Sequence, residues 1–116
     1  MTQQHTYTEA ELVDALKGHD NQAYKYLYHN YKGALFNAIS QIISDQEIAG
    51  DVLQETFINI WKNIDKYDPS KGRLFTWLLR LARNMAINTT RSKIYKSQMK
   101  NDDLTNYVNY LEEKQP

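Results

Sequence analysis

Apolar residues recur along most of the chain at intervals of three and four, the spacing that places side chains on one face of an α-helix. A long segment beginning near Asp20 shows this pattern most clearly, at positions Tyr24, Leu27, Tyr28, Tyr31, Leu35, Ala38, Ile39 and Ile42. Asp20 or Asn21 is expected to cap this helix, because short polar side chains accept hydrogen bonds from its free first amides. Almost no segment alternates between apolar and polar residues as a strand would. The pattern therefore predicts an all-α fold.

A short helix is expected before this segment and another long helix after it. Thr8 followed by Glu11 is a capping-box pattern, and Gly18 is suited to ending the helix that Thr8 starts. Ser44 or Asp45 is expected to cap the later helix, which would run to about residue 64. On a helical wheel, its predicted buried side carries Leu53, Phe57, Ile60, Trp61 and Ile64. The predicted exposed side carries Asp51, Glu55, Ile58, Asn59 and Lys62.

The clearest loop of the chain separates this helix from a fourth one. Residues 65–73 (DKYDPSKGR) contain the helix breakers Pro69, Ser70 and Gly72. The fourth helix is expected from about Leu74 to Tyr95, with an inner stripe of Leu74, Leu78, Leu81, Ala82 and Met85. Its outer face is expected to carry Arg80, Arg83, Asn84, Ile87 and Arg91, with Trp77 on the border. These elements predict a compact helical bundle of three to four main helices with a short N-terminal helix.

The length of 116 residues and the 41% of hydrophobic residues suit a single domain. We expect this domain to occupy residues 1–100 and residues 101–116 to start a linker, either partly helical or disordered. No apolar run approaches the roughly 18–20 residues that cross a bilayer, so no membrane contact is expected. The chain has no cysteine, which fits the cytoplasm. The first ten residues contain neither a basic cluster nor an apolar stretch, so no signal peptide is expected.

The formal net charge is zero, but the charges are unevenly distributed. Residues 45–68 are mainly acidic, whereas residues 71–100 contain no acid at all. The bases in that second segment are Lys71, Arg73, Arg80, Arg83, Arg91, Lys93, Lys96 and Lys100. One acidic and one basic block are the arrangement expected of a protein with two different partners. The alternative is that both blocks are solvated helix faces without a partner.

The sequence offers little that could perform catalysis. It contains neither a glycine-rich phosphate loop nor a nucleophile elbow. The three histidines, His5, His19 and His29, lie in separate segments, so a histidine metal site is not expected. We therefore predict no enzymatic activity, no metal and no cofactor. An enzyme with a carboxylate site is the least favoured alternative.

Two predicted helix faces carry patterns that suit binding. On the third helix, Asp51 and Glu55 are like charges four residues apart, which costs an isolated helix about 0.2–0.5 kcal/mol, and Ile58 lies beside them. Such a face is suited to docking on basic residues around a small apolar centre. On the fourth helix, arginines suit phosphates, while Asn84 has the donor and acceptor needed to recognise a base edge.

Three stretches together resemble region 2 of the extracytoplasmic-function (ECF) group of the sigma-70 family. They are AYKYLYHNYKGALFNAISQII (23–43), DQEIAGDVLQETFINIWKNIDKYDP (45–69) and GRLFTWLLRLARNMAINTTR (72–91). The second is the most specific, with its Asp-x-x-Gln-Glu-x-Phe core, its tryptophan and its Tyr-Asp-Pro exit. The resemblance covers about residues 8 to 96.

This resemblance implies a transcription initiation domain that binds core RNA polymerase and recognises and helps melt the promoter minus-ten element. It assigns contacts with the clamp helices of the largest polymerase subunit to Asp51, Gln54, Glu55 and Ile58. It also implies that Asn84 and the loop around Lys71 and Arg73 hold a base extruded from the non-template strand. The backbone of that strand would be held by Arg80, Arg83 and Arg91, and Trp77 borders this face.

Other interpretations remain open at this point. The chain could be a helical protein–protein interaction domain that reads no DNA sequence, with its basic block incidental. An anti-sigma factor is a further candidate partner for the same faces. A complete ECF sigma factor continues into a second domain that reads the minus-thirty-five element, so we expect this chain to be a fragment or a separately expressed domain.

Overall fold

The computed structural model describes residues 6–92 of the chain. Its helices are α1 (Glu9–Lys17), α2 (Asn21–Ser40), α3 (Gln46–Asn63) and α4 (Leu74–Thr90). Two short 3₁₀ turns between α3 and α4 comprise Ile64–Lys66 and Pro69–Lys71. The described part contains no strand, so the predicted all-α fold with a short N-terminal helix and three longer ones is confirmed.

The chain divides into two units between Ala86 and Ile87, so that residues 6–86 and residues 87–92 are described separately. The predicted helix or linker at residues 101–116 lies outside the described residues. So do the last eight residues of the predicted 1–100 domain.

Polar side chains start the first three helices as the sequence predicts. The capping box of α1 is complete: Glu11 N donates to Thr8 Oγ1 at 3.1 Å and Thr8 N donates to Glu11 Oε1 at 2.9 Å. Asp20 caps α2 by accepting from the amide of the second helical residue at 2.8 Å. Of the two candidates before α3, Asp45 is the cap, with its Oδ1 accepting two amide hydrogen bonds. Each cap satisfies donors that the helix itself leaves free.

The buried sides of all four helices supply the core of the 6–86 unit. Its apolar residues that are exposed by 2% or less include Leu12, Leu16, Leu27, Leu35, Ile39, Phe57, Ile60, Leu74 and Leu78. The tyrosines predicted on the buried face of α2 are only half-buried, at positions Tyr24, Tyr28 and Tyr31. Their rings pack against aromatic neighbours, as Tyr28 does on Phe57 at 4.9 Å between centroids.

The two sides of α3 are mostly as predicted, with three corrections. Leu53, predicted on the buried side, is half-buried. Trp61, predicted as core, is half-buried, and its ring meets the edges of His19 and Tyr24 at 4.7 and 4.9 Å. Asn59, predicted as exposed, is half-buried, with its Nδ2 3.6 Å from Met85 Sδ. The buried positions of α3 also include the smaller residues Ala49, Val52 and Thr56, which were not predicted to lie in the core.

The fourth helix is shorter than predicted. It ends at Thr90 rather than Tyr95, and the amides of Arg91 and Ser92 bond to carbonyls three residues back. The hydroxyls of Thr90 and Ser92 also donate to carbonyls three residues back, at 2.7 and 2.8 Å. Hydroxyl side chains that bond to nearby carbonyls in this way compete with helical backbone hydrogen bonds and favour helix ends.

Candidate nucleic-acid and protein interfaces

The predicted docking face consists of Asp51, Gln54, Glu55 and Ile58 on α3, and all four side chains are exposed. Ile58 is 52% exposed, the largest value among the exposed large apolar residues of the described chain. Within residues 6–92, neither Asp51 nor Glu55 forms an ion pair. The helix therefore presents two free carboxylates beside an apolar side chain, as the sequence predicts.

A groove of about 370 Å³ lies beside this face, between α2 and α3. It is lined by Tyr24, Lys25, Tyr28, His29, Gln54, Phe57 and Ile58. Gln54 and Ile58 belong to both the docking face and the groove, so the face extends onto α2. Sequence reasoning missed the α2 contribution because it assigned the tyrosines entirely to the core.

The basic face of α4 consists of Arg80, Arg83 and Asn84, all exposed. Positions three and four residues apart are neighbours on a helix surface, so Arg80 lies next to both Arg83 and Asn84. No described acidic side chain pairs with either arginine. This is the combination of free cations and one amide that the sequence predicts.

Arg91 was predicted as a fourth member of this set. It follows the last residue of α4, is exposed and belongs to the separate 87–92 unit. Its assignment to the DNA backbone stays a prediction.

Trp77, which is predicted to border the basic face, packs against another aromatic side chain. It is half-buried, and its ring lies 5.4 Å from the ring of Tyr67, which the sequence analysis left without a role. Tyr67 is 3% exposed although it belongs to the 65–73 loop. Burial first, and then the Glu9 carboxylate, raise the pKa of the Tyr67 hydroxyl. Tyr67 therefore anchors the loop in the protein interior.

Hydrogen bonds within the 65–73 loop make it a defined structure. The Tyr67 hydroxyl donates to the Gly72 carbonyl oxygen at 2.6 Å. Gly72 has a φ of 157°, a conformation that residues with side chains rarely adopt. Asp68 Oδ1 accepts from both the amide and the hydroxyl of Ser70, and these bonds lower the pKa of its carboxyl group. Exposed Lys71 is thereby held on a short, ordered turn.

Arg73, which is predicted to bind DNA, pairs with a side chain of its own chain. Its Nε lies 3.1 Å from Glu9 Oε1, and the other oxygen of the same carboxylate accepts from the Leu74 amide at 3.1 Å. Lys17 of the same first helix donates from its Nζ to the Tyr67 carbonyl at 2.8 Å. Sequence reasoning missed Glu9 and Lys17 because the contacts join positions 50 to 65 residues apart.

One aromatic pair near the loop was also missed. Phe75, in the first turn of α4, is 37% exposed and stacks on Tyr31 with 5.8 Å between ring centroids. Partly exposed aromatic rings can offer stacking surfaces to unpaired bases. The only signal in the sequence is an apolar residue placed off the inner stripe of the helix.

Residues 6–92 contain no group of three acidic or histidine side chains arranged to hold a metal ion. None of the described helices is long and apolar enough to cross a membrane.

The fold and its two faces define a small helical module with a free acidic surface and a free basic surface. The sequence profile of sigma-70 region 2 matches residues 27–94, more than half of the chain. The chain therefore belongs to the sigma-70 region 2 family, and the resemblance inferred from the sequence is confirmed.

Individual proteins give the same assignment. The ECF RNA polymerase sigma factor SigK of Mycobacterium tuberculosis (strain H37Rv) is 26% identical over 80 residues, which are 69% of this chain and 43% of the relative. SigK of Mycolicibacterium vanbaalenii is 28% identical over 74 residues, which are 64% of this chain and 38% of the relative. The chain thus spans less than half the length of these relatives.

A solved structure is similar in fold as well as in sequence. It is the NMR structure of an engineered region 2 of sigmaE in complex with GTAAAA, with a TM-score of 0.64 and 30% sequence identity. The match covers 76% of this chain and 88% of the other. The α1 contacts with the 65–73 loop start from Glu9 and Lys17, which precede the residues matched by the family profile.

Proposed function

We propose that this chain is a transcription initiation module that binds core RNA polymerase and recognises and helps melt the promoter minus-ten element. The observation that carries the proposal is the free basic face of Arg80, Arg83 and Asn84 on a sigma-70 region 2 domain. The solved relative, an engineered region 2 of sigmaE in complex with GTAAAA, supports a short nucleic acid as a ligand of the domain.

The chemistry of the basic face suits a single strand. Arg80 and Arg83 offer planar guanidinium groups that bind phosphates without regard to sequence. Asn84 can donate and accept at once, so it is the side chain suited to discriminate a base edge. We assign the backbone of the non-template strand to Arg80, Arg83 and Arg91, and an extruded base to Asn84 with the Lys71–Arg73 end of the loop.

Melting then follows from binding alone. Extruding a base costs a few kcal/mol, which contacts in the pocket must offset. A protein that binds the open strand better than the duplex shifts the equilibrium towards the open state without any covalent step. We therefore propose a binding role with no enzymatic activity.

The docking face is proposed to bind the clamp helices of the largest polymerase subunit. Asp51 and Glu55 carry charges that no described residue neutralises, and Ile58 supplies an exposed apolar centre. A partner with basic residues around a small apolar patch complements this face. Since core polymerase works in the cytoplasm, we propose that the chain is located there. An anti-sigma factor would compete with polymerase and DNA for the same surfaces.

A protein–protein interaction domain without DNA reading is the second candidate. It is favoured by the groove between α2 and α3, which continues the docking face and is lined largely by aromatic and apolar side chains. This candidate needs only the acidic and apolar surfaces.

The test is fluorescence anisotropy with a randomised six-nucleotide single-stranded DNA library, with and without core RNA polymerase, over a salt series. The proposed function predicts a short preferred sequence and tighter binding when polymerase is present. Equal affinity for every sequence under both conditions would leave the protein-interaction domain as the better account.

A further inference from the structure

The first helix holds the 65–73 loop through two charged side chains. Lys17 Nζ donates to the Tyr67 carbonyl at 2.8 Å, near the start of the loop. At the end of the loop, the two oxygens of Glu9 accept from Arg73 Nε and from the Leu74 amide, each at 3.1 Å. The loop is therefore fastened at both ends to α1.

The contact of Glu9 with Leu74 replaces a local helix cap. The helices α1, α2 and α3 are each capped by the residue directly before them. In α4, the first amide instead bonds to a carboxylate 65 residues earlier in the chain. A carboxylate is also favoured at this place by the helix dipole. The start of the helix that carries Asn84 thus depends on α1.

Contacts inside the loop connect the two fastening points. Tyr67, whose carbonyl bonds to Lys17, donates its own hydroxyl to the Gly72 carbonyl, and its amide donates to Ile64 O at 3.0 Å. Gly72 is followed directly by Arg73, which pairs with Glu9. A displacement at either α1 contact would therefore be transmitted along the loop.

The pair of Glu9 and Arg73 has a second consequence. The Arg73 side chain is 82% exposed, so a phosphate could reach it, but its Nε is already bonded to a carboxylate. Phosphate contacts raise affinity for all sequences alike. An arginine held by Glu9 contributes less of this unselective affinity than a free one.

We propose that Glu9 and Lys17 are positioning residues for base recognition, so that discrimination between DNA sequences depends on α1. They hold the 65–73 loop and the start of α4 in the conformation that presents Asn84, and Glu9 restrains Arg73. This inference rests on the proposed function, and it concerns a helix that precedes the residues matched by the family profile.

The test measures selectivity rather than affinity, with the full 116-residue chain. Anisotropy titrations compare the preferred six-nucleotide single strand from the library with a shuffled strand of the same composition. The variants are Glu9→Ala, Glu9→Gln and Lys17→Met. The controls are Asp14→Ala, which removes the same charge from an exposed position of α1, and Lys62→Met on α3. Titrations are run at a temperature where circular dichroism finds every variant folded.

We expect Glu9→Ala and Lys17→Met each to lower the ratio of the affinity for the preferred strand to the affinity for the shuffled strand. The expected decrease is about five-fold, which is the size of effect that the loss of one hydrogen bond produces. Glu9→Gln, which keeps one acceptor oxygen, should fall between wild type and Glu9→Ala. The two controls should change the ratio less than two-fold, although each shifts overall affinity through its charge. If Glu9→Ala destabilises the chain too far to be studied, Lys17→Met tests the other end of the loop.

Two outcomes count against the inference and can be told apart. If wild type prefers a sequence and Glu9→Ala and Lys17→Met keep that preference as the controls do, the role of α1 is refuted and the proposed function stands. If wild type itself has no preference, the proposed function fails first, and the positioning role fails with it.

Discussion

The hydroxyl of Tyr67 donates a 2.6 Å hydrogen bond to the carbonyl oxygen of Gly72, across the 65–73 loop. The Tyr67 ring is buried against Trp77, so the bond joins the protein interior to the residue before Arg73. It makes a loop with several helix breakers into a defined structure next to the basic face.

Substitution of Tyr67 by phenylalanine should lower the free energy of unfolding by about 1 kcal/mol, because the Gly72 carbonyl loses its donor. Urea denaturation followed by circular dichroism measures this loss. Tyr24→Phe is the control, since none of the hydrogen bonds within residues 6–92 involves the Tyr24 hydroxyl. A loss as large in the control as in Tyr67→Phe would contradict the role assigned to the loop bond.

Stability should also fall at alkaline pH in a way that depends on Tyr67. Burial and the neighbouring Glu9 raise the pKa of Tyr67 above its ordinary value of 10.0. The folded state therefore keeps a proton that the unfolded state loses, and this stabilisation is present below pH 10 and lost as the pH rises through the folded pKa. Unfolding free energies between pH 8 and 11 should decline less steeply for Tyr67→Phe than for wild type. Parallel curves would show that Tyr67 does not contribute to the decline.

Glu9 should stabilise the fold more through Leu74 than through Arg73. The Arg73 side chain is largely exposed, and such surface pairs contribute about 0.2–1 kcal/mol. Loss of a helix cap costs about 0.5–2 kcal/mol. A double-mutant cycle with Glu9→Ala and Arg73→Ala separates the two contributions, because the cap remains in the Arg73→Ala background. If Glu9→Ala costs nothing in that background, the capping role is wrong.

Reversing the charge of Glu55 or placing a charge at the apolar Ile58 should weaken binding to core RNA polymerase. Glu55→Lys and Ile58→Asp are each expected to raise the Kd about ten-fold, since both positions lie in the proposed centre of the interface. Both side chains are exposed, so thermal stability should change little. Asp14→Lys, the same kind of reversal on α1, is the control. Biolayer interferometry with immobilised core enzyme measures the Kd of each variant. Equal Kd values for Glu55→Lys, Ile58→Asp and Asp14→Lys would contradict this assignment.

The sequence predicts those features of the fold that depend on neighbours along the chain. Thr8, Asp20 and Asp45 cap their helices by bonding to amides two or three residues ahead, and helical spacing identifies Ile58 as exposed. Trp61 was assigned too deep a position, because helical spacing alone does not distinguish the core from a partly covered edge.

The features that sequence reasoning missed depend on contacts between distant segments. Tyr67 lies in a stretch rich in helix breakers, so no local pattern predicts that it is buried. Its burial involves packing against Trp77, which lies ten residues later. The contacts of Glu9 and Lys17 with the loop require the relative placement of α1 and α4, which no local pattern encodes. The site residues themselves follow from the exposed faces and the family resemblance, and their roles stay predictions.

The most direct test of the central claim compares Asn84→Ala with Arg83→Ala in single-stranded DNA binding over a salt series. If α4 reads bases, Asn84→Ala should flatten the preference among sequences while keeping the salt dependence. Arg83→Ala should weaken all sequences alike and lower the salt slope by about one contact. A preference that is unchanged by Asn84→Ala, or an absence of binding even at low salt, would contradict base reading by this face.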